Sequence, residues 1–389
     1  MSLIEGDNLC KSLDQYNLVD IPYKYIQQDF PESEIDNWGE LLVKEIKTLE
    51  KKDVIILLNV DEDAQSDSMT YWCNSLTKHL NKTSLNYVIL TNFTFEYADD
   101  YDRVISISWF LHSTISVYSK DNIEDLPWKP TNSSVLFLPG KPWKPSRLPA
   151  LYYFLRSSFR YNLKYSSITF EQMIRWEQQL NPLDIQWDLS QQVLESWNVV
   201  WGTPQGQLNQ TKSYNINEVR TVMNRLAKEL DGRWQWVGLD SMLHPTMYSD
   251  VSVEIVAETS HHNEKFITEK TYKPIVLGYP FVFIHSNFIE HIISQGFKIY
   301  QPIVLREDLF HQDKRDWKSE FETCVENIEK VLNNTNSEYM EYAIKHNQQH
   351  AIDLHQETIN NIAKIIPGFE KYAGKVFSRN VELHRENHA

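Results

Sequence analysis

Short apolar runs alternate with segments of helical periodicity along most of the chain. Runs rich in β-branched residues predict buried strands at residues 53–60, 85–91, 102–109, 135–138, 234–238, 253–257, 281–284 and 297–300. Apolar positions at helical spacing predict helices at residues 34–50, 68–80, 216–230, 288–295, 320–332 and 337–366. This alternation indicates an α/β protein with parallel sheets and Rossmann-like topology.

The segment 253–284 has the pattern of a strand, a loop, a short helix and a second strand. Thr271 as N-cap, with Pro274 at the third helical position, predicts a helix that begins just after Lys270. Glu269 and Lys270 are then expected in the loop before the helix, where unpaired N–H groups and the helix dipole favour phosphate. An ordinary βαβ unit with a solvated Glu–Lys corner would show the same local pattern.

A second stretch reverses the charge of the chain locally. Residues 126–170 carry seven basic side chains and no acidic one, whereas the whole chain of 389 residues has a formal net charge of −15. Lys144 and Arg147 lie in the turn-rich segment after the strand 135–138, around a helix start that Ser146 can cap. Such a loop could clamp a diphosphate by charge-assisted hydrogen bonds, or it could be a solvated basic face.

Composition narrows the class of protein. The chain is 41% hydrophobic and 13% aromatic, which predicts packed cores rather than disorder. Its negative charge argues against a general duplex-DNA binder. Three scattered cysteines indicate a reducing compartment. The polar N-terminus and the lack of a long apolar run predict a cytoplasmic protein without a membrane span.

Two histidines on the last predicted helix, His346 and His350, have the spacing of metal ligands. No acid or third ligand accompanies them, so a solvated helix face is the prediction there.

Four stretches of the sequence carry a resemblance to known proteins. EIVAET, FITEKTYKPIVLGYPFVF and GFKIY follow one another, and FLPGKPWKPSRLPALYYFL precedes them, within residues 133–310. Together they resemble a group of phage, viral and bacterial glycosyltransferase-like proteins and, more distantly, the donor motif of α1,3-fucosyltransferases. The resemblance implies a GT-B-like fold, in which two Rossmann-like domains face a cleft and a long helix ends the chain.

On this basis three regions are expected. Residues 1–125 form an N-terminal, acceptor-side domain. Residues 132–335 form the nucleotide-sugar (donor) domain, with an aromatic-rich insertion at about 165–215. Residues 336–389 form the C-terminal helix and tail.

The resemblance also implies a donor site. It is expected to contain Lys144, Arg147, Glu258, Thr259, Glu269, Lys270 and Lys273. Lys270 and Arg147 would neutralise the diphosphate of a nucleotide sugar, and Glu269 would hold ribose or sugar hydroxyls. No metal and no further cofactor are expected, because GT-B enzymes usually need none and no Asp-x-Asp stands near this site.

Inverting transfer needs a carboxylate base beside the acceptor hydroxyl. Asp61, Glu62 and Asp63 follow the predicted strand 53–60 and are the candidates, although a solvated acidic turn would look the same. The predicted function is therefore a metal-independent, fucosyltransferase-like hexosyltransferase acting on a hydroxyl of a glycan or, less favoured, of modified DNA. A phage or viral chain would act in the host cytoplasm. A nucleotide-sugar epimerase and a non-catalytic nucleotide-sugar or glycan-binding protein are the alternatives.

Overall fold

Two mainly parallel sheets with packed helices make up the part of the chain that the computed structural model describes. The described residues are 10–12, 16–21, 26, 30–49, 51–58, 66–91, 102–120, 128–129, 134–138, 150, 153–154, 157–159, 162–165, 248, 250–258, 267–285, 288–300, 317–333 and 338–377. The predicted α/β class with parallel sheets is confirmed. The chain divides into two compact units, Met1–Lys120 with Ile352–Ala389, and Asp121–Ala351.

The sheet of the first unit follows the order of the chain. Its strands are β1 (Cys10–Ser12), β2 (Asn17–Ile21), β3 (Asp53–Leu58), β4 (Asn86–Thr91) and β5 (Val104–Ser106). Between and after these strands the chain forms α1 (Glu32–Ile46), α2 (Ser66–Leu80) and α3 (Trp109–Lys120). Neighbours in the sheet are neighbours in sequence, and all pairs are parallel except β1 with β2.

Alternation along β3 shows how this sheet is covered on both faces. Val54, Ile56 and Leu58 belong to the core that includes side chains of α1 and α2. Ile55 and Leu57 belong to the other core, with apolar side chains from residues 359–377. A parallel strand that is buried on both faces reads as a continuous apolar run, which is why the sequence DVIILL predicts it so well.

The second unit has four parallel strands, β6 (Ser134–Phe137), β7 (Leu163–Tyr165), β8 (Val251–Val256) and β9 (Phe281–Phe283). The helices that follow β8 in sequence are α4 (Glu269–Leu277), α5 (Phe288–Ser294), α6 (Trp317–Asn333) and α7 (Glu338–Ile365). The boundary between the two units falls within α7, after Ala351.

The strand order β7-β6-β8-β9 contains a reversal. The chain passes from β6 outward to β7, and then to β8 on the opposite side of β6. Phe137 of β6 is in register with Ile255 of β8, so the carboxyl ends of these two strands lie side by side. Ligands of open α/β sheets bind at such a switch point. The two loops that the sequence singled out both begin there.

One predicted strand, at residues 297–300, is wrong. The backbone there is irregular, and the side chain of Asn347 on α7 takes the place of a neighbouring strand. The Lys298 N–H donates to Asn347 Oδ1 at 2.7 Å, and Asn347 Nδ2 donates to the Lys298 carbonyl at 2.9 Å. The apolar run predicted burial correctly, since Phe297 and Tyr300 are in the core, but a side-chain amide satisfies the backbone.

The prediction that His346 and His350 form a solvated helix face is wrong. His346 Nε2 lies 3.1 Å from the Gly296 carbonyl, and His350 Nε2 lies 2.7 Å from the Gln295 carbonyl. These carbonyls follow the C-terminus of α5, where helix carbonyls lack partners of their own. The spacing of four residues therefore serves a helix end.

Several predicted elements fall outside the described residues. These are the helix 216–230, the strand 234–238, the Ser146-capped helix start and the aromatic-rich insertion, apart from Tyr165. Within the described ranges, no helix is both long and apolar enough to cross a membrane.

A pair of histidines should make the first unit sensitive to acid. His112 Nδ1 of α3 and His355 Nδ1 of α7 are 2.8 Å apart, so at least one ring must be neutral to accept the hydrogen bond. Burial lowers the pKa of His355 from 6.5 to about 4, and burial together with His355 lowers the pKa of His112.

A folded-state pKa below the unfolded value means that protons favour the unfolded chain. We expect His355 to cost up to about 3 kcal/mol of unfolding free energy as the pH falls from 6.5 to 4. Urea unfolding of wild type and His355→Gln at pH 7.5, 5.5 and 4.5 measures this. The variant should lose less stability than wild type over that range, and equal losses would contradict the assignment.

Candidate functional site

The start of α4 lies three residues earlier than the sequence predicted. Thr268, not Thr271, is the N-cap, and its side-chain oxygen accepts a hydrogen bond from the Lys270 backbone N–H at 3.4 Å. Glu269 and Lys270 are therefore the first two residues of the helix, and their predicted place in the preceding loop is wrong. Thr268 can act as the cap because its extended backbone leaves the hydroxyl facing the first turn.

Pro274 is the reason for the error. A proline is expected in the first turn of a helix, where its missing N–H has no cost, but Pro274 is the sixth residue of a nine-residue helix. There it cannot donate to the Lys270 carbonyl, four residues before. The helix ends soon after, at Gly278 with φ 74°, and the Tyr279 N–H returns to the Pro274 carbonyl at 2.8 Å. A glycine in the left-handed region is a common helix end, because it has no Cβ to clash there.

The N–H groups of the first turn are largely satisfied within the protein, against the expectation of unpaired donors. The Thr268 oxygens accept from the Lys270 and Thr271 N–H groups, and Glu269 hydrogen-bonds its own backbone. An anion at this helix start would be attracted by lysine charge and by the helix dipole.

Glu258 lies two residues beyond the end of β8 and is 2% exposed. Its Oε1 accepts from the Thr268 N–H at 3.2 Å and from the Thr271 hydroxyl, and its Oε2 accepts from the Thr268 hydroxyl at 2.5 Å. Burial raises the pKa of the Glu258 carboxyl, while Lys270 and the threonine hydrogen bonds act in the opposite direction. The carboxylate thus ties the end of β8 to the start of α4.

Glu269 and Lys270 form the partly exposed rim of this arrangement. Lys270 Nζ lies 3.1 Å from Glu269 Oε1, and the two side chains are 19% and 23% exposed, respectively. Burial opposes the ionisation of Glu269. Lys270, Lys273 and hydrogen bonds from Lys270 and its own backbone nevertheless lower its pKa to about 2. Glu269 is therefore an ionised hydrogen-bond acceptor at neutral pH, with a cation beside it.

Lys273 and Glu254 form a deeper layer. Lys273 is 5% exposed, and its charge acts on both Glu254 and Glu269. Among the described residues, no carboxylate oxygen is within 4.0 Å of its ammonium group. Glu254, 2% exposed inside β8, accepts a hydrogen bond from the Tyr248 hydroxyl. Burial raises the pKa of Glu254 to about 7, against the opposing effects of Lys273 and Tyr248.

The predicted donor-site residues are brought together only in part. Glu258, Glu269, Lys270 and Lys273 lie at the carboxyl end of β8 and in α4, as one cluster. The remaining candidates lie outside the described residues: Asp61, Glu62, Asp63, Lys144, Arg147 and Thr259. The part of the predicted diphosphate site that the structure describes is therefore formed by the end of β8 and by α4.

Sequence reasoning missed the inner members of the cluster. Glu254 interrupts the apolar run VSVEIV, and a carboxyl inside a doubly buried strand was a signal for a paired interior charge. His285, which follows β9, pairs through Nδ1 with Glu320 of α6, and both are buried. No sequence motif indicates this second pair.

Within the described ranges, no group of three or more histidine, cysteine or acidic side chains has the geometry to hold a metal ion. Comparisons with protein-family models, curated proteins and solved structures found no match to this chain.

The raised pKa of Glu254 predicts a stability effect with a definite sign. A carboxyl with a pKa of 4.5 when unfolded and about 7 when folded favours the folded state less and less as the pH rises through this window. Glu254→Gln keeps an acceptor for Tyr248 and removes the titration. We expect the unfolding free energy of the variant, minus that of wild type, to rise by up to about 3 kcal/mol between pH 4.5 and pH 8.

Urea unfolding of both proteins at pH 4.5, 6 and 8 measures this difference. A difference between variant and wild type that does not change with pH would show that Glu254 does not titrate in this window.

Proposed function

We propose that the protein is a metal-independent glycosyltransferase that uses a nucleoside-diphosphate sugar as donor and an acceptor hydroxyl, with inversion at the anomeric carbon. The observation that carries the proposal is the Glu269–Lys270 pair, in the first turn of α4 beside the carboxyl end of β8. It stands at the switch point of a parallel sheet, where open α/β folds bind their ligands.

The chemistry of this pair matches two adjacent features of a nucleotide sugar. Glu269 is ionised and accepts hydrogen bonds, which suits the vicinal hydroxyls of ribose or of the sugar. Lys270 offers a point charge next to it, which suits a phosphate oxygen. A ligand with phosphate alone would leave Glu269 repelling it, so the pair favours a ligand that carries hydroxyls and phosphate together.

Lys273 and the dipole of α4 add to the attraction for a diphosphate. In the proposed reaction these groups stabilise negative charge that builds up on the departing nucleoside diphosphate, when the bond from the anomeric carbon to phosphate oxygen breaks. Lys144 and Arg147, from the loop after β6, are proposed to complete the clamp, since β6 is the direct neighbour of β8. A carboxylate among Asp61, Glu62 and Asp63 is proposed to take the proton of the acceptor hydroxyl.

The resemblance of the sequence to glycosyltransferase-like proteins supports the same conclusion. The acceptor class is proposed as glycan, with modified DNA less favoured because of the net charge of −15. A GT-B arrangement of the two units and a cytoplasmic location belong to this proposal.

Replacing Lys270 should weaken binding of nucleoside diphosphates. We expect Lys270→Met to reduce affinity roughly tenfold to a hundredfold, because a charge-assisted hydrogen bond contributes about 1.5–3 kcal/mol. Glu269→Gln should weaken nucleoside diphosphates but leave inorganic pyrophosphate unaffected or bound more tightly. Calorimetry with GDP, UDP, CDP, dTDP and pyrophosphate measures both effects.

Lys330→Met is the matched control, since this lysine pairs with Glu326 on the outer face of α6. Equal affinity in Lys270→Met and wild type would refute the site. Incubation of a bound nucleotide sugar with and without a panel of glycan acceptors then tests the reaction. An epimerase would convert the donor alone, and a binding protein would neither transfer nor convert it.

A further inference from the structure

Glu258 has a different environment from the other acidic residue at this helix start. Its side chain is 2% exposed, and both carboxylate oxygens are engaged by Thr268 and Thr271. Glu269, in contrast, keeps 23% of its side chain exposed. The carboxylate that can meet a ligand is therefore that of Glu269.

The hydrogen bonds around Thr268 have a direction that Glu258 imposes. The Thr268 hydroxyl donates its single proton to Glu258 Oε2. The lone pairs of that hydroxyl are then left for Lys270. The backbone N–H and the Nζ of Lys270 are both 3.4 Å from Thr268 Oγ1. The order of bonds runs from Glu258 through the Thr268 hydroxyl to the Lys270 ammonium group.

A second contact holds the start of α4 against Glu258. The Thr271 hydroxyl, one residue beyond Lys270, also donates to Glu258, through Oε1. The Thr268 N–H donates to the same oxygen at 3.2 Å. Three donors from the N-cap and the first turn thus converge on one buried acceptor, which fixes the position of the turn that carries Glu269 and Lys270.

We propose that Glu258 is a positioning residue: it holds the Thr268 hydroxyl in the orientation that aims Lys270 at a phosphate, and it makes no contact with the ligand. This assignment rests on the proposed function, because the ligand is the diphosphate of a nucleotide sugar. It differs from the role that the sequence resemblance implied, in which Glu258 lines the pocket.

The test compares a ligand that has hydroxyls with one that has none. Calorimetry measures the affinities of pyrophosphate and of GDP, UDP, CDP and dTDP for wild type, Glu258→Gln, Thr268→Val and Thr268→Ser. If Glu258 acts as a positioning residue, Glu258→Gln should weaken the binding of pyrophosphate and of the nucleoside diphosphate by the same factor, about fivefold to tenfold. Thr268→Val should weaken both similarly, and Thr268→Ser, which keeps the hydroxyl, should restore both.

The double variant Glu258→Gln/Thr268→Val distinguishes one chain of contacts from two separate effects. We expect it to bind no more weakly than Thr268→Val alone, because both changes break the same path to Lys270. Melting temperatures identify the folded proteins. If Glu258→Gln does not fold, the contrast between Thr268→Val and Thr268→Ser still decides.

Loss of nucleoside-diphosphate affinity with unchanged pyrophosphate affinity in Glu258→Gln would show a direct contact with hydroxyls and overturn the proposal. Unchanged affinity for both ligands in Glu258→Gln or Thr268→Val would do the same. A wild-type protein that binds none of these ligands would refute the proposed function itself.

Discussion

A carboxylate cannot be buried at the end of a strand without donors, and this constraint organises the second unit. Glu258 lies near the end of β8 and is almost fully buried, and a buried, unpaired charge would cost several kcal/mol. The start of α4 supplies the donors from Thr268 and Thr271. Thr268 in turn accepts from the backbone N–H groups of Lys270 and Thr271, so this set of contacts joins the strand, the N-cap and the two charged residues that follow it.

The charges around this contact are arranged by depth. Glu254 is in the strand interior, and burial brings its pKa to about 7. Lys273 is next, almost fully buried, and Glu269 and Lys270 are at the rim. Two lysines act on Glu269 and keep it ionised, whereas Glu254 has a weaker balance of the same kind. The cluster therefore presents an acceptor and a cation at its rim, and the proposed nucleotide-sugar site rests on this combination.

Much of this fold could be predicted because its strands are buried on both faces. VIILL in β3 and VLF in β6 are apolar without a break, so they predict buried strands without an alternating pattern. Gly278, a residue type that commonly ends helices, stands where α4 ends. The helix start was harder to predict, because Thr271 followed by Pro274 fits the sequence pattern of an N-cap as well as Thr268 does. The choice between them depends on Glu258, ten residues before the N-cap, and local rules do not contain that contact. The roles of His346, His350 and Asn347 were beyond the sequence for the same reason, since each pairs with backbone about 50 residues away.

The most direct measurement is amide hydrogen exchange with and without inorganic pyrophosphate, followed by mass spectrometry of peptides that cover residues 267–277. If the start of α4 binds the diphosphate, exchange should slow in this peptide at ligand concentrations that saturate binding. Peptides from α1 and α2 should not change. Saturating binding that leaves exchange in residues 267–277 unchanged, while another segment becomes protected, would contradict the account.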